Sequence, residues 1–243
     1  MTTTTLILLP GLACDAALWR DQLPALAEIV AVRVANQHFR FYTLPAMATA
    51  LLAEQPGQLL LAGASMGGML ALEVWRQAPQ RVRGLALLGT SARPDTPELI
   101  ALRTQACELF AEGRVDEVLR PNLMLAFAPG VSARSPLAAD YLAMMARAGP
   151  EQLIRQNRAV MARADSRALL PTITCPTLVL CGQADALASP EYSREMAAAI
   201  PNAQLHWLPD CGHMLTWEQA AAVTALLRDW AGRAVHTELR SKA

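Results

Sequence analysis

The chain has 243 residues, 53% of them hydrophobic and only 17% charged, and its 21 basic and 21 acidic side chains cancel. That length buries a large core without disulfides or a structural metal. The charge balance lacks the basic excess by which nucleic-acid binders and anionic-membrane binders neutralise phosphate. In chain order, residues 6–9 form a short apolar run closed by Pro10-Gly11, which predicts a buried strand and a loop. A β-branched run at 29–34 and a leucine run at 59–62 predict two more strands. Residues 67–78 carry apolar side chains at helical spacing and stop at Pro79. Strands are predicted at 82–88, 177–181 and 204–208, and helices at 191–200 and 217–230. A polar, frayed tail is expected from Val235.

Apolar strands alternating with helices predict a mostly parallel central sheet with helices on both faces. Residues 92–167 break the rhythm with helical pieces at 98–112, 115–120, 136–148 and 151–164 and no strand. The expected organisation is therefore a core of residues 1–91 and 168–243 carrying a helical cap insertion at 92–167.

The five cysteines are Cys14, Cys107, Cys175, Cys181 and Cys211. Their odd number and scattered spacing suit reduced thiols rather than a disulfide framework or a metal cage. Residues 1–13 lack the charged start of a signal peptide, and no apolar stretch has the length of a membrane span. A cytoplasmic chain, monomer or homodimer, without metal, cofactor, membrane or nucleic-acid partner, is the expectation.

The sharpest local signal is Gly63-Ala64-Ser65-Met66-Gly67-Gly68, directly after one predicted strand and opening a helix. Gly-x-Ser-x-Gly in that context holds a serine on a sharp turn, its hydroxyl projecting above the sheet beside a helix N-terminus. Such a serine needs a base and an orienting acid. Of the four histidines, His213 sits with Gly212 in a loop between the last strand and last helix. His38 lies in an early loop, His206 within a predicted strand and His236 in the tail. Asp185 follows the strand at 177–181, and Ser65, Asp185, His213 is the chain order this sheet type uses. Asp210 and Asp95 are the rival acids. The backbone N–H groups of Met66 and Leu12 are the candidate oxyanion donors.

These four segments resemble the α/β-hydrolase superfamily along nearly the whole chain, in particular its small bacterial carboxylesterases and lactonases. Leu8-Leu9-Pro10-Gly11-Leu12 with Trp19 is similar to the family's first loop, with Pro10 where histidine is usual. The proline that usually follows the acid is here Pro190, one residue late. Residues 36–43 stand where a glycine-rich Asp…Ser loop is frequent. A serine sets aside the branches that use an aspartate nucleophile. The resemblance implies a hydrolase of a small-molecule acyl substrate: a carboxylic ester, thioester or lactone. Hydrolysis of a C–C bond or perhydrolysis by the same triad is the alternative, and a ligand-binding receptor with little turnover is the alternative of another class. Leu123, Met124, Leu125, Phe127, Tyr141, Met144, Met145 and Met161 make the insertion apolar and methionine-rich. Met124, Phe127, Tyr141, Met145 and Met214 are the expected pocket residues.

Overall fold

The computed structural model describes residues 4–131 and 133–240, with side chains through 235. Six strands form one sheet in the order β2-β1-β3-β4-β5-β6: β1 (Thr4–Leu9), β2 (Ala31–Val34), β3 (Gln58–Ala64), β4 (Val82–Leu88), β5 (Thr177–Gly182) and β6 (Ala203–Leu208). Every pairing is parallel, from Thr5 against Ala31 at one side to Gly182 against Leu208 at the other. The central strands are buried on both faces, which is why they read as unbroken apolar runs, whereas the edge strand β2 exposes Ala31 and Arg33.

Alternation along each strand divides the core in two. Leu6, Leu8, Leu60, Ala62, Ala86, Leu88, Leu178 and Leu180 face one side. They meet Leu26 of the short helix α1 (Leu23–Ala27) and Val223, Leu227 and Trp230 of a late helix. Ile7, Leu9, Leu59, Leu61, Leu85, Leu87 and Val179 face the other. They are covered by α2 (Leu44–Glu54) and α3 (Met66–Gln77). No helix was expected between the second and third strands. The signal for α2 is a Thr43 N-cap, Pro45 in the first turn and buried Leu44, Met47, Ala48 and Leu51 at helical spacing. Small alanines surround these positions, so the stripe has little polar contrast and the periodicity is weak in the sequence.

Between β4 and β5 run α4 (Pro97–Ala111), α5 (Val115–Ala126) and α6 (Pro136–Met161). The last is two arms bent at Gly149, whose φ of 75° is in the left-handed region that glycine enters without a Cβ penalty. The expected pieces at 136–148 and 151–164 are these two arms. The chain closes with α7 (Pro190–Ala199), β6, a one-turn α8 (Leu215–Glu218) and α9 (Ala220–Arg240). The tail differs from the expectation: helix continues to Arg240, because Leu227, Trp230, Ala231 and Ala234 keep the i, i+3, i+4, i+7 stripe buried. Residues 241–243 and the side chain of His236 lie outside the described residues. Among the described residues no helix is long and apolar enough to cross a membrane.

β1 and β3 are neighbours whose onward connections leave in opposite directions across the sheet. Such a switch point opens a crevice at the carboxyl ends of the strands. The ends of β1, β3, β5 and β6 carry the segments singled out in the sequence.

Candidate active site

Ser65 lies between β3 and the first turn of α3 with φ 52° and ψ −118°. A non-glycine residue there is strained by about 1–3 kcal/mol and persists only where the surroundings enforce it. The surroundings here do so by close approach: a Cβ on Gly67 would stand 2.0 Å from the Leu9 carbonyl oxygen. The Ser65 N–H donates to the Leu88 carbonyl at 2.9 Å, and the Thr90 hydroxyl donates to the Ser65 carbonyl at 2.6 Å. Strands β1 and β4 thus hold the turn from both sides.

His213 and Asp185 meet over the end of β4. Nδ1 of His213 and Oδ2 of Asp185 are 2.8 Å apart. An ionised carboxylate only accepts, so Nδ1 carries the proton and Nε2 is free to take one. A Cβ on Gly89 would lie 3.0 Å from Asp185 Oδ2 and 3.3 Å from His213 Nδ1. Gly89 stands between Leu88 and Thr90, the two residues bonded to the Ser65 backbone, so the His213–Asp185 pair and the Ser65 turn both pack against the end of β4. Oδ1 of Asp185 is fixed by the N–H groups of Leu187 and Ala188, at 2.9 and 2.8 Å. The Asp185 side chain is wholly buried, while His213 and Ser65 are partly open to solvent.

The rival acids serve elsewhere. Asp95 is buried in ion pairs with Arg103 of α4 and with Arg163 just after α6, which fasten both to the loop after β4. Asp210 is an exposed turn residue with φ 49°. His206 lies on β6, and His38 is buried with Nε2 2.8 Å from the Cys14 carbonyl.

Met66 opens α3, where a first-turn N–H has no partner within the helix. Leu12 directly follows Gly11, whose Cβ position is 3.4 Å from that of Ser65. Both candidate donors therefore flank the serine. Of the expected pocket residues, Phe127, Tyr141, Met145 and Met214 are buried in one cluster. Phe127 and Tyr141 meet edge to face at 5.9 Å. Met124 does not join them and is 64% exposed. The inward stripe of α5 is Leu119, Leu123 and Ala126, and one further residue turns Met124 about 100° away. A cavity of about 510 Å³ bounded by Trp75, Arg83, Thr172 and Cys175 lies at the amino ends of β4 and β5, away from the carboxyl ends, and contains none of these groups.

Sequence reasoning missed Glu218. Its carboxylate accepts the Gly212 N–H at 3.0 Å and the Ala128 N–H at 2.8 Å. The Ala126 carbonyl in turn accepts the N–H groups of His213 and Met214, at 2.9 and 3.0 Å. The end of α5 is thereby fastened to the histidine loop. Burial pushes the Glu218 carboxyl above its ordinary range, against these hydrogen bonds. The only hint in the sequence is an acidic residue five positions after His213, and such residues are common on helix starts. All five cysteines are buried free thiols, and among the described residues no group of three His, Cys, Asp or Glu gathers as a cation cage. Burial pushes the Cys14 thiol up to about 12, so it is protonated beside the serine.

The model of the alpha/beta hydrolase family matches residues 6–226. The chain is 30% identical to a thermophilic esterase from Thermogutta terrifontis, with a TM-score of 0.84 over 96% of this chain and 91% of that one. It is 26% identical to the biotin biosynthesis bifunctional protein of Cellvibrio japonicus over 95% of its own length, and spans 48% of that larger protein. It is 28% identical to the pimeloyl-(acyl-carrier protein) methyl ester esterase of Chromobacterium violaceum, covering 86% of this chain and 75% of that one.

Proposed function

The chain belongs to the alpha/beta hydrolase family, and from that premise we propose that it is a serine hydrolase cleaving a small carboxylic ester, thioester or lactone through an acyl-enzyme on Ser65. The observation that carries this reading is the strained Ser65 turn beside the hydrogen-bonded His213–Asp185 pair. Nε2 of His213 takes the hydroxyl proton as Ser65 attacks the substrate carbonyl. Asp185 fixes the imidazole tautomer and stabilises the imidazolium. The N–H groups of Leu12 and Met66 receive the oxyanion, where each preorganised donor contributes about 3 kcal/mol to the transition state. The alcohol, thiol or ring oxygen leaves with the proton from His213. Water activated by the same imidazole then releases the acid and regenerates Ser65.

Residues 92–167 act as a cap over this site, with Phe127, Tyr141, Met145 and Met214 supplying an apolar wall for the acyl or alcohol part. An ester substrate is supported by the 30% identity to a solved esterase, while the C–C hydrolases among the chain's relatives keep C–C hydrolysis by the same triad as the second reading. Labelling by a fluorophosphonate and turnover of p-nitrophenyl butyrate, both lost in Ser65→Ala, are the expected results. Undiminished turnover in that variant would remove Ser65 from the mechanism.

A further inference from the structure

The loop that carries Leu12 is held from outside the core. Ala13 has φ 57°, a left-handed conformation that costs a non-glycine residue about 1 kcal/mol or more and needs an external restraint. The restraint comes from α6. Gln156, wholly buried on the second arm of that helix, accepts the Ala13 N–H at 2.6 Å. Its amide nitrogen donates to the His38 carbonyl at 3.1 Å. The two partners have opposite polarity, so they fix which end of the amide faces which. The His38 ring then donates from Nε2 to the Cys14 carbonyl at 2.8 Å. The peptide groups on both sides of Ala13 and Cys14 are thereby pinned by two buried side chains, one of them from the insertion. Arg155 and Gln152, from the same turn of α6, bind the Phe39 carbonyl and secure the 38–39 segment to the helix.

We propose that Gln156 is a positioning residue for the oxyanion loop: with His38 it clamps Ala13 and Cys14, and so aims the Leu12 N–H at the carbonyl of the acyl substrate. This rests on the hydrolase reading above. It makes the insertion part of the catalytic machinery as well as a cover. A rigid cap arm sets the geometry of a backbone donor, and a shift of that arm weakens oxyanion binding without touching the triad. Ground-state binding involves little charge on the carbonyl oxygen, so the loss falls on kcat rather than on KM.

The test uses the full chain with Gln156→Met, which keeps volume and removes the bonds to Ala13 and His38 together with a weaker one to Gln152. The expected result is a 10- to 100-fold lower kcat on p-nitrophenyl butyrate, a KM within about threefold, and weaker binding of a trifluoromethyl ketone by the same factor as kcat. A kcat within twofold of the parent at a temperature where both are folded would overturn the proposal. His38→Leu and His38→Gln carry the same test should Gln156→Met not fold. The leucine frees the Cys14 carbonyl and should lower kcat, whereas glutamine keeps a donor near Nε2 and should restore it. Equal activity of the two His38 variants would also overturn the clamp. Amide exchange at Ala13, faster in Gln156→Met, is read without substrate. It separates loss of the clamp from a parent that neither turns over esters nor takes up a fluorophosphonate, which is failure of the hydrolase reading instead.

Discussion

His213 and Asp185 lie 28 positions apart and meet at 2.8 Å because β5 and β6 are parallel neighbours ending at the same edge. The acid is buried and already anchored through its other oxygen, so it orients the ring without rotating. Asp185→Asn keeps the shape but turns a donor toward Nδ1 and favours the wrong tautomer. The expected loss in kcat is about 10⁴-fold with KM little changed, measured by steady-state kinetics. Asp210→Asn should leave kcat within twofold; a large loss there would transfer the acid's role to Asp210.

The strand–turn–helix unit around Ser65 was legible in the sequence because its signals are contiguous. Residues 59–78 contain the strand, the small-residue turn and the helix stripe in one stretch, and the structure places Ser65 as that pattern requires. Glu218 and Gln156 were not legible for the opposite reason. Each acts on backbone groups 90 and 143 positions away, and a buried glutamine looks in sequence like any polar helix residue. Met124 was assigned inward from composition, but a one-residue difference in helical phase decides its side.

Gly67→Ala tests the enforced turn. The added Cβ meets a backbone oxygen, not a flexible side-chain end, so α3 must move away from β1. The expected cost is about 3 kcal/mol, or a melting temperature lower by about 10 °C, with activity lost in the fraction that remains folded. Unchanged melting would mean that the strand and helix do not pack as closely as described.

Glu218→Gln tests the strut between the histidine loop and α5. Burial raises the Glu218 pKa in the folded state above its ordinary 4.5. The stability that the protonated carboxyl retains in the fold is therefore full below about 4.5 and is lost as pH rises through the folded value. Glutamine does not titrate, so melting of the variant relative to the parent should improve from pH 4 to pH 7. A pH-independent difference would contradict the raised pKa. Glu218→Ala leaves two N–H groups without an acceptor and should melt lower than the parent throughout.

His38 gives stability the opposite pH dependence. Burial lowers its pKa from 6.5 to about 4, opposed by its bond to the Cys14 carbonyl and by Asp15 and assisted by Arg155. The unfolded chain takes up a proton near 6.5 and the folded chain only near 4. Stability is therefore complete above about pH 6.5 and declines as pH falls toward 4, by up to about 3 kcal/mol. Denaturant unfolding between pH 4 and 7 should show this slope in the parent and a smaller one in His38→Gln. The same slope in both would place the titration on another group.

Ser65 itself lowers stability for the sake of its geometry. At φ 52° and ψ −118° a Cβ is strained, and glycine is not. Ser65→Gly should therefore abolish turnover yet raise the melting temperature by about 2–4 °C, corresponding to about 1 kcal/mol of relieved strain. Ser65→Ala removes the same hydroxyl but keeps the Cβ, so it should be equally inactive without the full gain. The pair separates loss of the nucleophile from relief of the backbone. If alanine stabilises as much as glycine, the strain resides in burying the hydroxyl rather than in the turn that presents it.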